Sequence, residues 1–213
     1  MSRRLCSILA MAILSLTIAV TAGAETLLGT NYIGGSIGYV EYGNEYRDRV
    51  FGNGTDMGVV GNINLAESID LNLSAKYEWT DGDDAGLDTE STLFLAVADL
   101  VYFFNTGERL KPYINASLGG VYVEAEASGP GLHAQDDETR LAFGGGGGVE
   151  FEAGESVLLR LGLDYLNMDE VENIDLTTSL GFWFTKKILG AVSATYDFDT
   201  ENSRAGIKLI IKL

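Results

Sequence analysis

The sequence predicts an all-β protein, a transmembrane antiparallel up-and-down β-barrel of ten strands, with eight as the alternative. Three observations predict it. An export signal opens the chain, segments of period-two alternation recur through the rest, and the aromatic residues on their oily faces are sorted by depth.

Residues 1–24 read as a secretory signal peptide. Arg3 and Arg4 form a positive n-region, Ile8 to Val20 an apolar h-region, and Ala22-Gly23-Ala24 an A-x-A cleavage site. The apolar run is short of the roughly 20 residues that a spanning helix needs. Cys6, the only cysteine, precedes that run, which argues against a lipoprotein anchor. A mature chain starting at Glu25 then has no thiol, so cysteine-based metal and redox sites are excluded. Losing two arginines leaves 12 of the 14 Lys and Arg against 31 Asp and Glu, a net charge of 12 − 31 = −19. Phosphate repels such a chain, so nucleic acid is not an expected partner. Residues 25–213 carry no Pro/Ser-rich linker and form one barrel domain.

The strands follow in order. The first two segments are Asn31–Glu41 and Met57–Leu65. The third, Ile69–Trp79, alternates without error: Ile69, Leu71, Leu73, Ala75, Tyr77 and Trp79 fall on one face, Asp70, Asn72, Ser74, Lys76 and Glu78 on the other. Thr92–Phe104 alternates least and carries Asp99, too short and too polar for a helix that crosses a membrane. Pro112–Glu126 begins with a proline, where no ladder is broken. Arg140–Phe151 contains five consecutive glycines, yet Phe143, Val149 and Phe151 keep one phase through them. Ser156–Leu166, Ile174–Phe184, Ile188–Phe198 and Arg204–Leu213 complete the set.

The connections alternate in length. Ala66–Ser68, a turn around Ala153-Gly154, Thr185–Lys187 and the slightly longer Asn105–Lys111 lie on one side. Tyr42–Asp56, Thr80–Ser91, Ala127–Thr139, Asn167–Asn173 and the short Asp199–Ser203 lie on the other. If the first strand runs outward, the outer ends carry Tyr39, Trp79, Phe94, Phe143, Tyr165, Tyr196 and Phe198. Tyr102, Phe104, Phe151, Phe182 and Phe184 mark the inner ends, with aliphatics such as Leu71, Leu73, Leu159 and Leu161 between. Two aromatic girdles around an aliphatic band describe a barrel in lipid. Eleven residues at about 3.3 Å each, tilted about 40°, span roughly 28 Å, enough to cross the apolar layer and little more.

In LKPYINASLGGVYVE, in FGGGGGVEFE followed by VLLRLGLDYL, and in the terminal RAGIKLIIKL, the chain resembles the small outer-membrane β-barrels of Gram-negative bacteria, of the opacity-protein and OmpA-transmembrane-domain type. The resemblance covers the whole mature chain. It implies an outer-membrane monomer in contact with outer-membrane lipid and lipopolysaccharide, assembled by the barrel-assembly machinery. That machinery reads a terminal strand with alternate apolar residues, here Ile207, Leu209, Ile211 and Leu213; the chain departs from the family by ending in Leu213 and not in an aromatic.

Charge is also sorted. Asp81, Asp83, Asp84, Asp88 and Glu90, then Asp136, Asp137, Glu138, Asp169, Glu170, Glu172, Asp199 and Glu201, occupy the long-loop side, whereas Arg109, Lys111, Lys186 and Lys187 lie on the short-turn side. Such an acidic rim is either a solvated surface or a means of sharing divalent cations with lipopolysaccharide phosphates. Asp81, Asp83 and Gly86 hold positions one, three and six of a calcium loop, with Asp84, Asp88 and Glu90 nearby. Ala85 at position five and Thr92 at position twelve remove the ligands that set affinity, so these five carboxylates are weak metal candidates. His133, the only histidine, lies near Asp136 and Asp137 but has no serine and second acid placed with it. No phosphate-binding GxxxxGK[ST] loop occurs.

By parity, Asp70, Lys76, Glu78, Asp99, Arg140, Glu150, Arg160, Asp164, Asp175, Lys208 and Lys212 face the lumen. Lys76, Asp99, Arg160, Asp164 and Lys208 are the expected core of a lumenal charge network, which either pairs across a closed interior or lines a narrow path. If Glu152 pairs with Ser156, Gly148 lies opposite Arg160, and the glycines make room for its guanidinium to cross toward Asp99. Outward Gly147 is then expected to tolerate a side chain. The expected function is that of a non-enzymatic, surface-exposed outer-membrane barrel without cofactors. A small cation-favouring, porin-like channel and an outer-leaflet hydrolase using His133 are the alternatives.

Overall fold

The structure is a computed structural model and describes residues 27–43, 53–84, 87–104, 106, 109–130, 132–154, 156–168 and 171–213. The expected signal peptide lies outside the described residues. Ten strands form: β1 Tyr32–Glu41, β2 Gly54–Ala66, β3 Ile69–Asp84, β4 Leu87–Phe103, β5 Leu110–Gly129, β6 Leu132–Glu152, β7 Val157–Met168, β8 Val171–Trp183, β9 Ile188–Asp197 and β10 Ser203–Lys212. Each pairs antiparallel with its sequence neighbours, and β1 pairs with β10, so the barrel is closed and no strand edge faces lipid within it.

Period-two alternation puts a continuous apolar belt outside. Ile33, Ile37, Val59, Leu73, Ile114, Leu163, Ile207 and Leu209 are all exposed. In water that belt would be an aggregation surface; in a bilayer it meets acyl chains. Aromatics two residues apart on one strand touch at both margins. Tyr77–Trp79 and Tyr196–Phe198 stand 5.8 and 5.2 Å apart at the long-loop end, and Tyr102–Phe104 and Phe182–Phe184 stand 5.0 and 5.6 Å apart at the short-turn end.

The strands are unequal, which corrects the expectation that they barely cross the membrane. β5 and β6 are 20 and 21 residues long, against 10 for β1, β9 and β10. The segments expected as loops, Thr80–Ser91, Ala127–Thr139 and Asn167–Asn173, continue the ladders to within two residues of each tip, with Asp84↔Leu87, Gly129↔Leu132 and Met168↔Val171 paired. Above the aromatic margin the outward face no longer meets lipid. The oily half of the alternation therefore disappears there while the backbone pairing continues. β2 joins β3 only from Thr80, and β7 joins β6 only from Phe143, so β3–β6 continue as a four-stranded wall beyond their pairing with β2 and β7.

Inside, the polar-lumen rule fails at the short-turn end. Trp183, Leu189, Leu158, Ile210 and Tyr32 form one buried cluster there with Leu27, while Val101, Phe103 and Tyr113 form a second with Leu28. These inward apolar side chains have a covalently attached partner, the segment that precedes β1.

Candidate functional site: a lumen closed at its inner end

The site is built around Glu150, whose side chain is fully buried. Residues 27–30 leave β1 and fold back under the lumen, closed as a turn by the Thr30 amide and hydroxyl donating to the Leu27 carbonyl at 3.1 and 2.7 Å. Gly29 sits at φ +80°, a conformation that side-chain-bearing residues resist. The turn leaves amides without ladder partners, and carboxylates from the barrel wall accept them. Leu27 and Leu28 donate to Glu150 Oε2 at 3.0 and 3.3 Å, and Gly29 donates to Asp70 Oδ2 at 2.8 Å. Lys111 Nζ and Asn62 Nδ2 donate to the Leu28 and Thr30 carbonyls at 3.1 and 2.8 Å. Buried amides and buried carboxylates thus satisfy one another while Leu27 and Leu28 fill the apolar clusters. The result is a plug.

Arg160 compensates the charge of Glu150. The two are cross-strand partners between β6 and β7, with Arg160 Nη1 3.3 Å from Glu150 Oε1. Arg160 Nε donates to the Tyr113 hydroxyl at 3.1 Å, and its guanidinium lies 4.7 Å from the centre of that ring. The sequence-based register, with Gly148 opposite Arg160, is therefore corrected by two residues: Gly148 faces Gly162. The β6–β7 turn is wider than expected, closed by the Ala153 amide on the Val157 carbonyl at 2.8 Å. A two-residue slip preserves inward parity, so Arg160 still enters the lumen, but it meets Glu150 and not Asp99.

The glycine run makes room for Tyr113. A Cβ on Gly148 or Gly162 would lie 2.6 or 2.7 Å from the Tyr113 hydroxyl oxygen. Gly147 is also corrected. A Cβ there would stand 2.8 Å from the Tyr113 backbone carbonyl oxygen, so the outward glycine is crowded too.

A second charge layer lies toward the long-loop end. Glu78 accepts from Lys76 Nζ at 2.9 Å and from the Tyr42 hydroxyl at 2.7 Å, with Arg204 Nε at 3.6 Å. Between the layers is a chamber of about 440 Å³ with a mixed polar and apolar lining. Of the five expected network residues, Lys76 and Arg160 are ion-paired, with Glu78 and Glu150. Asp99, Asp164 and Lys208 line the chamber without a salt bridge among the described residues. Sequence reasoning placed Glu78, Glu150 and Asp70 inside by parity but did not single them out. The signal that could have found Glu150 is its place in an otherwise glycine-rich inner face.

The remaining candidates lie on the wall. Asp81 opposes Glu90, Glu90 opposes Glu126 and Glu124 opposes Asp137 across β3–β6, so carboxylates share one face with Trp79 just above the aromatic margin. Asp81, Asp83 and Asp84 belong to β3, and Asp88 and Glu90 to β4, so the calcium-loop conformation does not form. Among the described residues, no three His, Cys, Asp or Glu side chains are grouped to hold a metal ion. His133 Nδ1 lies 3.4 Å from Glu126 Oε1, both exposed, so its carboxylate neighbour is Glu126 and not Asp136 or Asp137. Arg140 donates to Glu138 and holds that exposed carboxyl below its ordinary range.

No curated protein matches the sequence. Among solved structures, Ail, the attachment invasion locus protein of Yersinia pestis, is similar at 13% identity, over 86% of this chain and 95% of that one, with a TM-score of 0.42. Neisserial surface protein A is similar at 16% identity, over 86% and 97%, with a TM-score of 0.42. The NanC porin is similar at 8% identity, over 85% and 100%, with a TM-score of 0.48. The model of the outer membrane protein beta-barrel domain matches residues 8–184. With a closed ten-stranded barrel belted by apolar residues, the chain belongs to the outer membrane protein β-barrel domain family and resides in the outer membrane.

Proposed function

We propose that this protein is a surface-exposed, non-enzymatic barrel whose lumen is shut toward the periplasm by its own amino-terminal segment, and not a channel. The observation that carries this reading is the plug. Leu27 and Leu28 occupy apolar clusters across the short-turn end, and their amides are held by Glu150. An aqueous path would have to cross Trp183, Phe103 and Leu189, each almost fully buried. The short-turn end faces the periplasm in this reading, with Arg109, Lys111, Lys186 and Lys187 there, and the acidic wall of β3–β6 faces the medium. In this reading Asp81, Glu90, Glu124 and Asp137 share divalent cations with lipopolysaccharide phosphates, which their opposed carboxylates on one face support. His133 supports no hydrolase, because among the described residues the one ion-pair partner it has is Glu126.

Single-channel recording of the refolded protein tests the reading. Wild type is expected to be silent, and a variant lacking Leu27–Thr30 to show steady conductance. Discrete, cation-selective conductance from wild type would overturn it in favour of a channel.

A further inference from the structure

The lumenal chamber holds charged groups of opposite sign that make no salt bridge among the described residues. On β10, Lys208 is enclosed in the lumen, and among the described residues its ammonium has no ion pair and no hydrogen bond. The other lumenal cations are engaged, Lys76 and Arg204 with Glu78 and Arg160 with Glu150. Ser36, the register partner of Lys208 on β1, adds a hydroxyl to that side of the chamber.

Asn115 on β5 stands five strands from β10 in either direction around the ring, so it faces Lys208 across the lumen. Its Oδ1 is buried without a hydrogen-bond partner, while its amide group donates to Ser117 Oγ at 3.3 Å and to the Asp164 carboxylate. Asp99 on β4 and Asp164 on β7 flank it, neither in a salt bridge. Asp99 accepts from Ser117 and Asp164 from Asn115, both neutral donors, so what the three oxygen-bearing groups lack is a cation. A metal ion fits poorly, because no three carboxylates converge among the described residues. An ammonium, with three hydrogens that point in different directions, suits acceptors set apart.

We propose that the chamber binds a small zwitterion of the amino-acid class, its carboxylate on Lys208 and Ser36 and its ammonium on Asp99, Asp164 and Asn115 Oδ1. A volume of about 440 Å³ is within the range of small-molecule sites. Lys208 and the two aspartates are half-buried and make no salt bridge among the described residues, and one ligand bearing both charges supplies an opposite charge to both sides at once. None of the groups invoked belongs to the plug, so the proposal does not depend on it.

The test is calorimetric titration of the refolded barrel with glycine, 4-aminobutyrate and 6-aminohexanoate, beside butyrate and butylamine as single-charge controls at constant ionic strength. At least one zwitterion is expected to bind about tenfold or more tighter than either control. Lys208→Met should reduce it to the level of butylamine, and Asp164→Asn to that of butyrate. Lys208→Arg should retain binding, and the heat-dependent band shift on gels confirms that each variant is folded. Butylamine binding as tightly as the best zwitterion would reduce the site to a plain cation site and overturn the proposal. So would zwitterion binding unchanged in folded Lys208→Met, or no zwitterion exceeding its controls.

Discussion

Glu150 and Arg160 face each other across β6 and β7, and the second oxygen of the Glu150 carboxylate accepts the amides of Leu27 and Leu28. One buried acid thus ties a charge pair in the wall to the segment that closes the lumen. Removing it strands a buried guanidinium and two buried amides together. Glu150→Ala should cost on the order of 3–5 kcal/mol, the range for breaking a buried pair from one side. Glu150→Gln with Arg160→Met should recover much of that loss, because no charge is left without its partner. The urea midpoint of the heat-dependent band shift measures both. A loss in Glu150→Ala as small as that of an exposed acid such as Glu138 would show that the plug is held by its leucines alone.

Strand number, strand parity and both aromatic margins were legible because lipid imposes a rule on every second residue. Ile69–Trp79 obeys that rule without exception, and β3 begins at Ile69 as expected. Legibility ends where the lipid ends. Asp81 to Asp84 and Ala127 to Thr139 pair as strands beyond the aromatic margin, where no apolar alternation reports them. Register is the second loss. Period two fixes which face Arg160 takes, yet shifts of two residues leave every side chain on its face. The plug was invisible for a third reason: Leu27 and Leu28 follow the expected signal directly and read as unpatterned. Only the inward Trp183 and Leu189, apolar where a lumen should be polar, hint that something covers them.

The wall predicts which positions are accessible from outside. The mature chain expected here has no cysteine, so single cysteines can be placed at will. On intact cells, His133→Cys should react with a membrane-impermeant maleimide, while Thr185→Cys, in the β8–β9 turn, should react only after the outer membrane is opened. The reverse pattern would invert the barrel, placing its acidic wall in the periplasm.

Tyr113 and Gly162 offer a test of the lumenal packing that spares the backbone. A Cβ on Gly162 would meet only the tip of the Tyr113 side chain closely, at 2.7 Å; its next neighbour, Asp164 Oδ2, is at 3.5 Å. Gly162→Ala should therefore destabilise by about 1–3 kcal/mol, the usual cost of overpacking. Tyr113→Phe removes the obstructing oxygen, at the expense of the Arg160 hydrogen bond. In the double variant the alanine should cost clearly less than it does alone. Strict additivity of the two losses, read from urea midpoints, would mean that the phenol does not occupy the space that Gly162 leaves.

Gly147 and Gly148 make the complementary case, in which no partner substitution helps. On Gly148 a Cβ would press on the Leu161 carbonyl oxygen as well as on the Tyr113 hydroxyl, and on Gly147 it would press on the Tyr113 carbonyl oxygen at 2.8 Å. Both obstacles include backbone, which moves only if the strands move. Gly148→Ala and Gly147→Ala should each destabilise by roughly 1–3 kcal/mol, and Tyr113→Phe should rescue neither fully. Gly148 should lose more, since its Cβ meets the β7 backbone at Leu161 and Gly162 as well as the Tyr113 hydroxyl inside a closed lumen, whereas Gly147 faces lipid, where the added methyl recovers some apolar burial. A harmless Gly148→Ala would place the close approach of β6 and β7 elsewhere in the glycine run. A Gly147→Ala costlier than Gly148→Ala would assign the crowding to the β5–β6 contact and not to the tyrosine inside.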